Sequence, residues 1–415
     1  MIFEAIKAKF LCFITYKFKI NDLKTIVIHA SKTASIQRRH PWIFSGAIKS
    51  LEPETHEGDL VNILDGKDNY LGFGYYQANN ISVKILGFAP ETYSDSYWNI
   101  KISQAYSLRS SLGLTQSSET NSYRLIHAEG DGIPGLIIDI YDNVGIIQCH
   151  SIAVFNNLEK ICTALELIYG DKLKHIYNKS LETLPQKNMN LVQNSFLKGG
   201  LEKILIKENN IEFEINILDS QKTGFFLDQR QNRLLLQKYC ANKSVLNTFC
   251  YTGGFSLYAL KAMAKSVCSV DSSSKAMNQL EQNLQLNFNN TTNHESLNIE
   301  AINYLTNMEA YQFDVIILDP PAFAKNISKR HNAIQAYKRI NISALKKINV
   351  GGILFTFSCS QVVSEEVFYH TIHSAGIEAK RDIRILHKLH QGPDHPISLF
   401  HPEGSYLKGL VLEVS

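Results

Sequence analysis

Long hydrophobic runs are missing from this 415-residue chain. No stretch approaches the roughly 18 uninterrupted apolar residues that mark a membrane span, so no membrane role is expected. The opening segment, "MIFEAIKAKFLCFITYKFKI", is broken by Lys7, Lys9, Lys17 and Lys19 and has no small-residue cleavage site. It reads as an N-terminal extension over residues 1–23, either a short amphipathic helix or residues added by an upstream start codon. Paired cysteines are missing too. The seven cysteines stand singly at 12, 149, 162, 240, 250, 268 and 359, with no C-x-x-C. That excludes a disulfide framework and a cysteine-rich zinc site, and it fits a reducing cytoplasm. Internal repeats are absent, and the one polar tract, "NFNNTTN" at 287–293, reads as a loop. His390, His395 and His401 are irregularly spaced among prolines, so they read as loop residues and no metal is expected.

What the chain has is length for more than one core, since a single core stops growing at about 250–300 residues. It also has an uneven charge distribution beneath a net charge of only +3. Residues 1–50 carry nine Lys/Arg against two acids, 51–95 carry two against eight, and 322–349 carry seven with no acid. Basic blocks are often only solvated faces, but two in one chain favour a polyanionic partner.

Short β-like runs, "LVNILD", "YLGFGYY" and "ISVKILGF", predict a small barrel over 24–92. A mixed α+β stretch follows over 93–205, with one helix around "ISQAYSLRSSLGL" and another over "AVFNNLEKICTALELIYG". From 206 to 415 buried strands alternate with helices: "VLNTFC", "VCSVD", "LNIEA", "FDVIILD" and "ILFTFS", then "RDIRILHKL" and "YLKGLVLEV". This rhythm predicts a doubly wound, mostly parallel α/β sheet with the last strand as an antiparallel edge.

Ligands of such sheets sit beyond the carboxyl ends of the strands. The first strand ends in "NTFCYTGGFS", where Gly253-Gly254 open a helix without forming G-x-G-x-x-G, which disfavours a dinucleotide phosphate clamp. Asp271, ending the second strand, can accept both ribose hydroxyls of a nucleoside cofactor; it can also cap the helix that follows. Glycine turn and acid together point to S-adenosylmethionine. The fourth strand ends "DPPAF", a stiff exit able to fix Asp319 and Phe323 over a planar substrate. The fifth ends "FTFSCSQ", which puts Cys359 beside Asp319 at one sheet edge. Cys149, Cys162, Cys240 and Cys268 lie in apolar patterns and read as core; Cys250 reads as packing in the cofactor loop.

In this order, "RRHPWIFSGAI", "YRLIHAEGDGIPGLIIDIYD", "DSQKTGFFLDQRQNR", "FCYTGGFS", "VDSSSKAM", "DPPAF", "SCSQ" and "QGPDHP…YLKGLVLE" resemble the RlmI-like bacterial 23S ribosomal RNA cytosine-C5 methyltransferases. The resemblance covers residues 24–415. It implies an N-terminal PUA domain, a Rossmann-like class I methyltransferase domain and S-adenosylmethionine as cofactor. The partner it implies is 23S rRNA or a large-subunit precursor, with a homodimer left open. Cys359 matches the family's nucleophile and Asp319 its catalytic acid. The matching segments put Lys222, Thr223, Phe225, Phe249, Tyr251, Thr252, Gly253, Gly254, Asp271, Ser272 and Asp319 around the cofactor. After the third strand, where the family often offers an acid to adenine, "NIEAINYL" has Glu300 displaced and a neutral Asn303.

A thiolate adding at carbon 6 of cytosine makes carbon 5 enamine-like and able to take a methyl group. Asp319 assists at N3 only if it shares a proton there, which requires a raised pKa. The base that removes the C5 proton cannot be named, because Ala322 and Phe323 stand where some relatives carry a second cysteine. Water or a neighbouring hydroxyl is open. A flipped base could stack on Phe323, and Arg38, Arg39, His40, Lys325, Lys338 and Arg339 read as phosphate contacts. Two other readings remain: N-methylation of an rRNA guanine, which "SCS" counts against, and a non-catalytic assembly factor, which the intact site residues count against.

Overall fold

The computed structural model describes residues 23–185, 189, 192–289 and 292–415. The expected extension, with Cys12, falls outside them apart from its last residue, as does the centre of the 287–293 loop. The chain divides into two compact units: the described residues through Ile100 with Ser151–Lys160, and Lys101–His150 with Ile161–Ser415. Residues 93–205, set apart in the sequence, are shared between these units.

The first unit is built on six strands: β1 Lys24–Ile28, β2 Trp42–Phe44, β3 Ile48–Leu51, β4 Leu60–Asp65, β5 Tyr70–Tyr76 and β6 Ile81–Phe88. Their order is β2-β6-β5-β4-β1-β3. Period-two apolar positions supply its core: Ile26 and Ile28, Val61 and Ile63, Val83 and Ile85. At Gly74 a Cβ would lie 2.3 Å from the Lys84 carbonyl oxygen, so close strand approach requires glycine there.

The second unit starts with a five-stranded sheet formed by β7 Ser122–His127, β8 Leu136–Tyr141, β9 Val144–Cys149, β10 His175–Asn178 and β11 Ser195–Lys198. The expected helix over 153–170 is two helices, Ile152–Phe155 and Leu158–Tyr169, broken at Asn156-Asn157. A hairpin, β12 Lys203–Glu208 and β13 Ile211–Asn216, leads into the large sheet.

That sheet comprises β14 Ser244–Thr248, β15 Ser266–Val270, β16 His294–Leu297, β17 Val315–Leu318, β18 Gly352–Ser358, β19 Ile383–His390 and β20 Lys408–Val414. The order is β16-β15-β14-β17-β18-β20-β19. β14 to β18 run parallel and β20 runs against them. The antiparallel strand is therefore the last one, as expected, but it lies inside the sheet and β19 takes the edge. Burial explains the exchange. "KGLVLEV" is almost wholly buried, whereas "IRILHKLH" exposes Arg384, Leu386 and Lys388, a pattern only an edge tolerates. The helices that frame the site are α1 Arg230–Leu236, α2 Gly254–Lys261, α3 Ser274–Asn287, α4 Ala301–Asn307, α5 Arg330–Lys347 and α6 Glu365–Ala379.

Candidate active site

Beyond β14 the backbone takes three left-handed residues in a short space: Phe249 (φ 56°), Tyr251 (φ 49°) and Gly253 (φ 85°). Such conformations cost about 1–3 kcal/mol at non-glycine residues and persist only where the surroundings impose them. At Gly253 a Cβ would also lie 2.0 Å from Leu280 Cδ1, so no other residue fits between this turn and α3. What holds the turn is Asp271. The Tyr251 amide donates to Asp271 Oδ2 at 2.9 Å and the Ser273 amide to Oδ1 at 2.9 Å. Helix α3 is capped by Ser273, whose hydroxyl accepts from the Ala276 amide, and not by Asp271. With two of about four lone-pair sites used, this half-buried carboxylate can still accept a ribose diol. The residues present thus fit a nucleoside cofactor.

Tyr251 is packed edge-on by Phe226 at 5.3 Å, and its hydroxyl accepts from the Gln221 amide at 3.3 Å. Lys222 and Ser272 are exposed on the same rim, and Thr252 is buried with its carbonyl accepting from Asn283 at 3.0 Å. Thr223 and Phe225 have other tasks. The Thr223 hydroxyl donates to Asp139 Oδ2 at 2.5 Å, and Phe225 packs in the core on Phe213 at 4.7 Å beneath the Arg233 guanidinium. Thr223 and Phe225, expected at the cofactor, are both buried, with Thr223 also bonded to the Tyr141 hydroxyl at 3.0 Å. The third strand ends four residues earlier than "LNIEA" suggests. Leu297 is its last residue, Asn298 donates to the Asp271 carbonyl at 2.9 Å, and Glu300 is exposed at the start of α4.

The thiol lies at the other half of the same sheet edge. Leu318 pairs with Thr356, so Asp319 and Cys359 leave adjacent parallel strands nearly together. The two exits are tied: Ser360 Oγ donates to the Ala324 carbonyl at 2.7 Å, and Cys359 Sγ lies 3.9 Å from the Pro320 carbonyl oxygen. From β20, the buried Lys408 ammonium donates to the carbonyls of Ser360 (2.7 Å) and Val363 (2.6 Å), fixing the loop that carries the thiol. Burial lowers Lys408 to about 8, which the nearby thiolate partly opposes. Burial pushes the Cys359 thiol up to about 11, with the Asp319 and Asp228 charges adding to the rise and Lys222 opposing it. Asp319 is pushed up to about 7, first by burial and then by Asp228, while the Gln229 amide and Arg233 pull it down.

Beneath both lies "LDQRQNR" (227–233). Gln229 Nε2 donates to Asp319 Oδ2 at 3.1 Å, and Asn232 in turn donates to Gln229 Oε1 at 2.6 Å. Tyr406 donates to Asp228 Oδ2 at 2.6 Å. Buried ion pairs hold the segment: Arg230 with Asp394 at 2.8 Å, and Arg233 bidentate on Glu208 at 2.7 and 2.8 Å. Asn232 also lines a cavity of about 310 Å³ with Lys388, His390, Gln391 and His395. Local spacing does not single out Gln229, Asp228 or Tyr406; for Lys408, a lysine inside an apolar strand is the visible signal.

Cys149, Cys240, Cys250 and Cys268 are buried and Cys162 is half-buried, as packing predicts. The Cys250 sulfur faces Met277 Sδ at 3.7 Å, and burial holds its thiol well above the ordinary value. Among the predicted RNA contacts, Arg38, Arg39, Lys325 and Arg339 are exposed and His40 is half-buried. Arg39 stacks over Phe88 at 5.2 Å. Lys338 pairs with Glu378 at 2.9 Å, and its neighbour Tyr337 is buried, packing on Phe323 at 4.7 Å. The basic face is therefore narrower than the sequence run. No helix among the described residues is long and apolar enough to cross a membrane.

Residues 187–397 match the family model of S-adenosylmethionine-dependent methyltransferases, and 26–88 match a PUA-like domain. The chain is 37% identical over 398 residues to ribosomal RNA large subunit methyltransferase I of Pseudoalteromonas atlantica, spanning 94% of this chain and 99% of that protein. Against the protein of the same name from Shewanella frigidimarina the identity is 38% over 399 residues, with the same shares covered. A methyltransferase solved in complex with SAH superposes with a TM-score of 0.80 at 22% identity, over 94% of this chain and all of that one, a likeness of fold. With its Asp271-held turn, its PUA-like first unit and relatives matching from end to end, this chain belongs to the ribosomal RNA large subunit methyltransferase I family of S-adenosylmethionine-dependent methyltransferases.

Proposed function

We propose that this protein forms 5-methylcytidine in 23S rRNA through a covalent adduct between Cys359 and cytosine carbon 6. The observation that carries the reading is Cys359, the half-exposed thiol at a strand end, tied to the Asp319 loop by the Ser360–Ala324 and Pro320 contacts. When bound, S-adenosylmethionine supplies an electrophilic methyl group and a positive sulfonium. The chain supplies the rest. Cys359 as thiolate adds to carbon 6 and pushes electron density onto carbon 5. Asp319, with a pKa near 7, holds its proton part of the time at neutral pH and can hydrogen-bond to N3 as charge builds there. Gln229 holds the other carboxyl oxygen, Oδ2. Phe323 offers an aromatic wall for a base taken out of its stack. Exposed Arg38, Arg39, Lys325 and Arg339 contact phosphates, which supply affinity without sequence.

The test is mass mapping of nucleosides in rRNA from cells with and without the gene, and from cells carrying Cys359→Ala. A single 5-methylcytidine should vanish in both mutants while the purified variant still binds S-adenosylmethionine. Normal methylation by Cys359→Ala would end the covalent reading, and loss of a methylguanosine instead would move the target to that base.

A further inference from the structure

The cycle proposed above ends with a proton on carbon 5 and a sulfur still on carbon 6, and it lacks a base. Of the groups around the thiol and its partner acid, Lys408 spends its N–H donors on the Ser360 and Val363 carbonyls, Arg233 spends its own on Glu208 and the Phe226 carbonyl, and Lys222 is exposed. Ser358 accepts from the Ser360 amide, and Ser360 donates its own hydroxyl to Ala324. Asp319 is engaged by Gln229 and, in the proposed cycle, by N3.

Asp228 remains. It sits on the helical turn just before α1, next in sequence to the residue that holds Asp319. Its Oδ2 accepts from Tyr406, and its main chain is fixed by the Gly392 amide at 3.3 Å. Its Oδ1 is buried and has no hydrogen-bond partner among the described residues. A buried carboxylate oxygen without a donor is unfavourable, and such atoms call for an explanation in function. The Asp228 charge also reaches both site groups, raising Cys359 and Asp319. One carboxyl is thus inclined to keep its proton while the other presents a bare acceptor oxygen.

We propose that Asp228 is the base that removes the carbon-5 proton and releases the RNA, with Tyr406 as its positioning residue. This rests on the covalent reading. Asp228 Oδ1 forms the O–H bond as the C5–H bond breaks. That electron pair becomes the C5–C6 double bond, the C6–S bond breaks, and its pair returns to Cys359 as thiolate. The proton then passes to water. No further reactant is needed.

The experiment uses the full-length protein with rRNA tritiated at cytosine carbon 5 and methyl-labelled S-adenosylmethionine. Asp228→Asn should accumulate a denaturant-resistant protein–RNA adduct that carries the transferred methyl, with tritium release slowed at least about 100-fold. Asp228→Glu, which restores a carboxylate, should clear the adduct and recover much of the release, and Tyr406→Phe should slow release by a smaller factor. Release at the wild-type rate by Asp228→Asn overturns the assignment. So does an Asp228→Asn protein that binds cofactor yet shows neither adduct nor methyl transfer, which would make Asp228 a shaping residue. If Cys359→Ala still methylates, the covalent reading itself falls; if it is inactive and Asp228→Asn releases freely, only the base assignment falls.

Discussion

Two carboxylates end strands of the same sheet and face the same edge, yet they have been made into different reagents. Asp271 has a backbone amide on each oxygen and acts as the peg of a strained glycine turn. Asp319 has one side-chain amide on one oxygen and a second carboxylate nearby, and it is pushed up to about 7. Strand topology puts an acid at each place. Local donors decide whether it stays a fixed acceptor or becomes a group that exchanges a proton. In both cases the deciding partners come from elsewhere in the chain: Tyr251 and Ser273 for one, Asp228 and Gln229 for the other.

Breaking the proton-exchanging member should do the most damage. Asp319→Asn should lower methyl transfer by about 10²–10⁴-fold, the usual worth of a positioned acid, with cofactor affinity nearly unchanged. In the wild type the assistance at N3 should fade as pH rises through about 7, because the donor proton is lost there. Asn cannot titrate, so its residual rate should lack that limb. Initial rates of labelled methyl incorporation above and below this pH would show it, and equal pH profiles would remove the acid role from Asp319.

Breaking the fixed member should be milder and of another kind. Asp271→Asn leaves one acceptor oxygen but replaces the other with a donor that opposes the Tyr251 or Ser273 amide. Loss of one or two hydrogen bonds to a charged group predicts affinity for S-adenosylmethionine lower by about 10–100-fold. Alkylation of Cys359 by iodoacetamide should proceed at the wild-type rate. Titration calorimetry and thiol labelling separate the two outcomes; unchanged affinity would confine Asp271 to holding the turn.

How much of this could be read from the sequence follows the same division. The ends of the strands carrying Asp271, Asp319 and Cys359 were legible because short buried runs stop at recognisable residues, and doubly wound topology brings "DPP" and "SCS" side by side. The exchange of β19 and β20 was not, since the period of an apolar run does not say which neighbour it pairs with. The partners of the site were hidden for a plainer reason: Gln229 meets Asp319 across 90 residues and Asp228 meets Tyr406 across 178. Local spacing carries no signal over such distances. The ion pair that Lys338 makes with Glu378, beside the buried Tyr337, was hidden because a basic run along a helix does not show which of its faces is buried.

The same contrast extends to stability, where the effect is smaller and its sign opposes that on activity. Asp319 has a folded pKa of about 7 against an ordinary 3.8, so between those values the folded protein holds a proton that the unfolded chain has released. Its contribution to stability is therefore intact below about 4 and is lost as pH rises through 7. Asparagine, which cannot ionise, escapes that loss. Asp319→Asn should match the wild type near pH 4 and exceed it near pH 8 by on the order of 1–3 kcal/mol, discounted for a half-buried group. Asp271→Asn should destabilise at both, because its carboxylate is held by amides that the neutral side chain satisfies less well. Urea unfolding of both variants at the two pH values measures this. A stabilised Asp271→Asn, or an Asp319→Asn with no gain at the higher pH, would erase the distinction between the two strand ends.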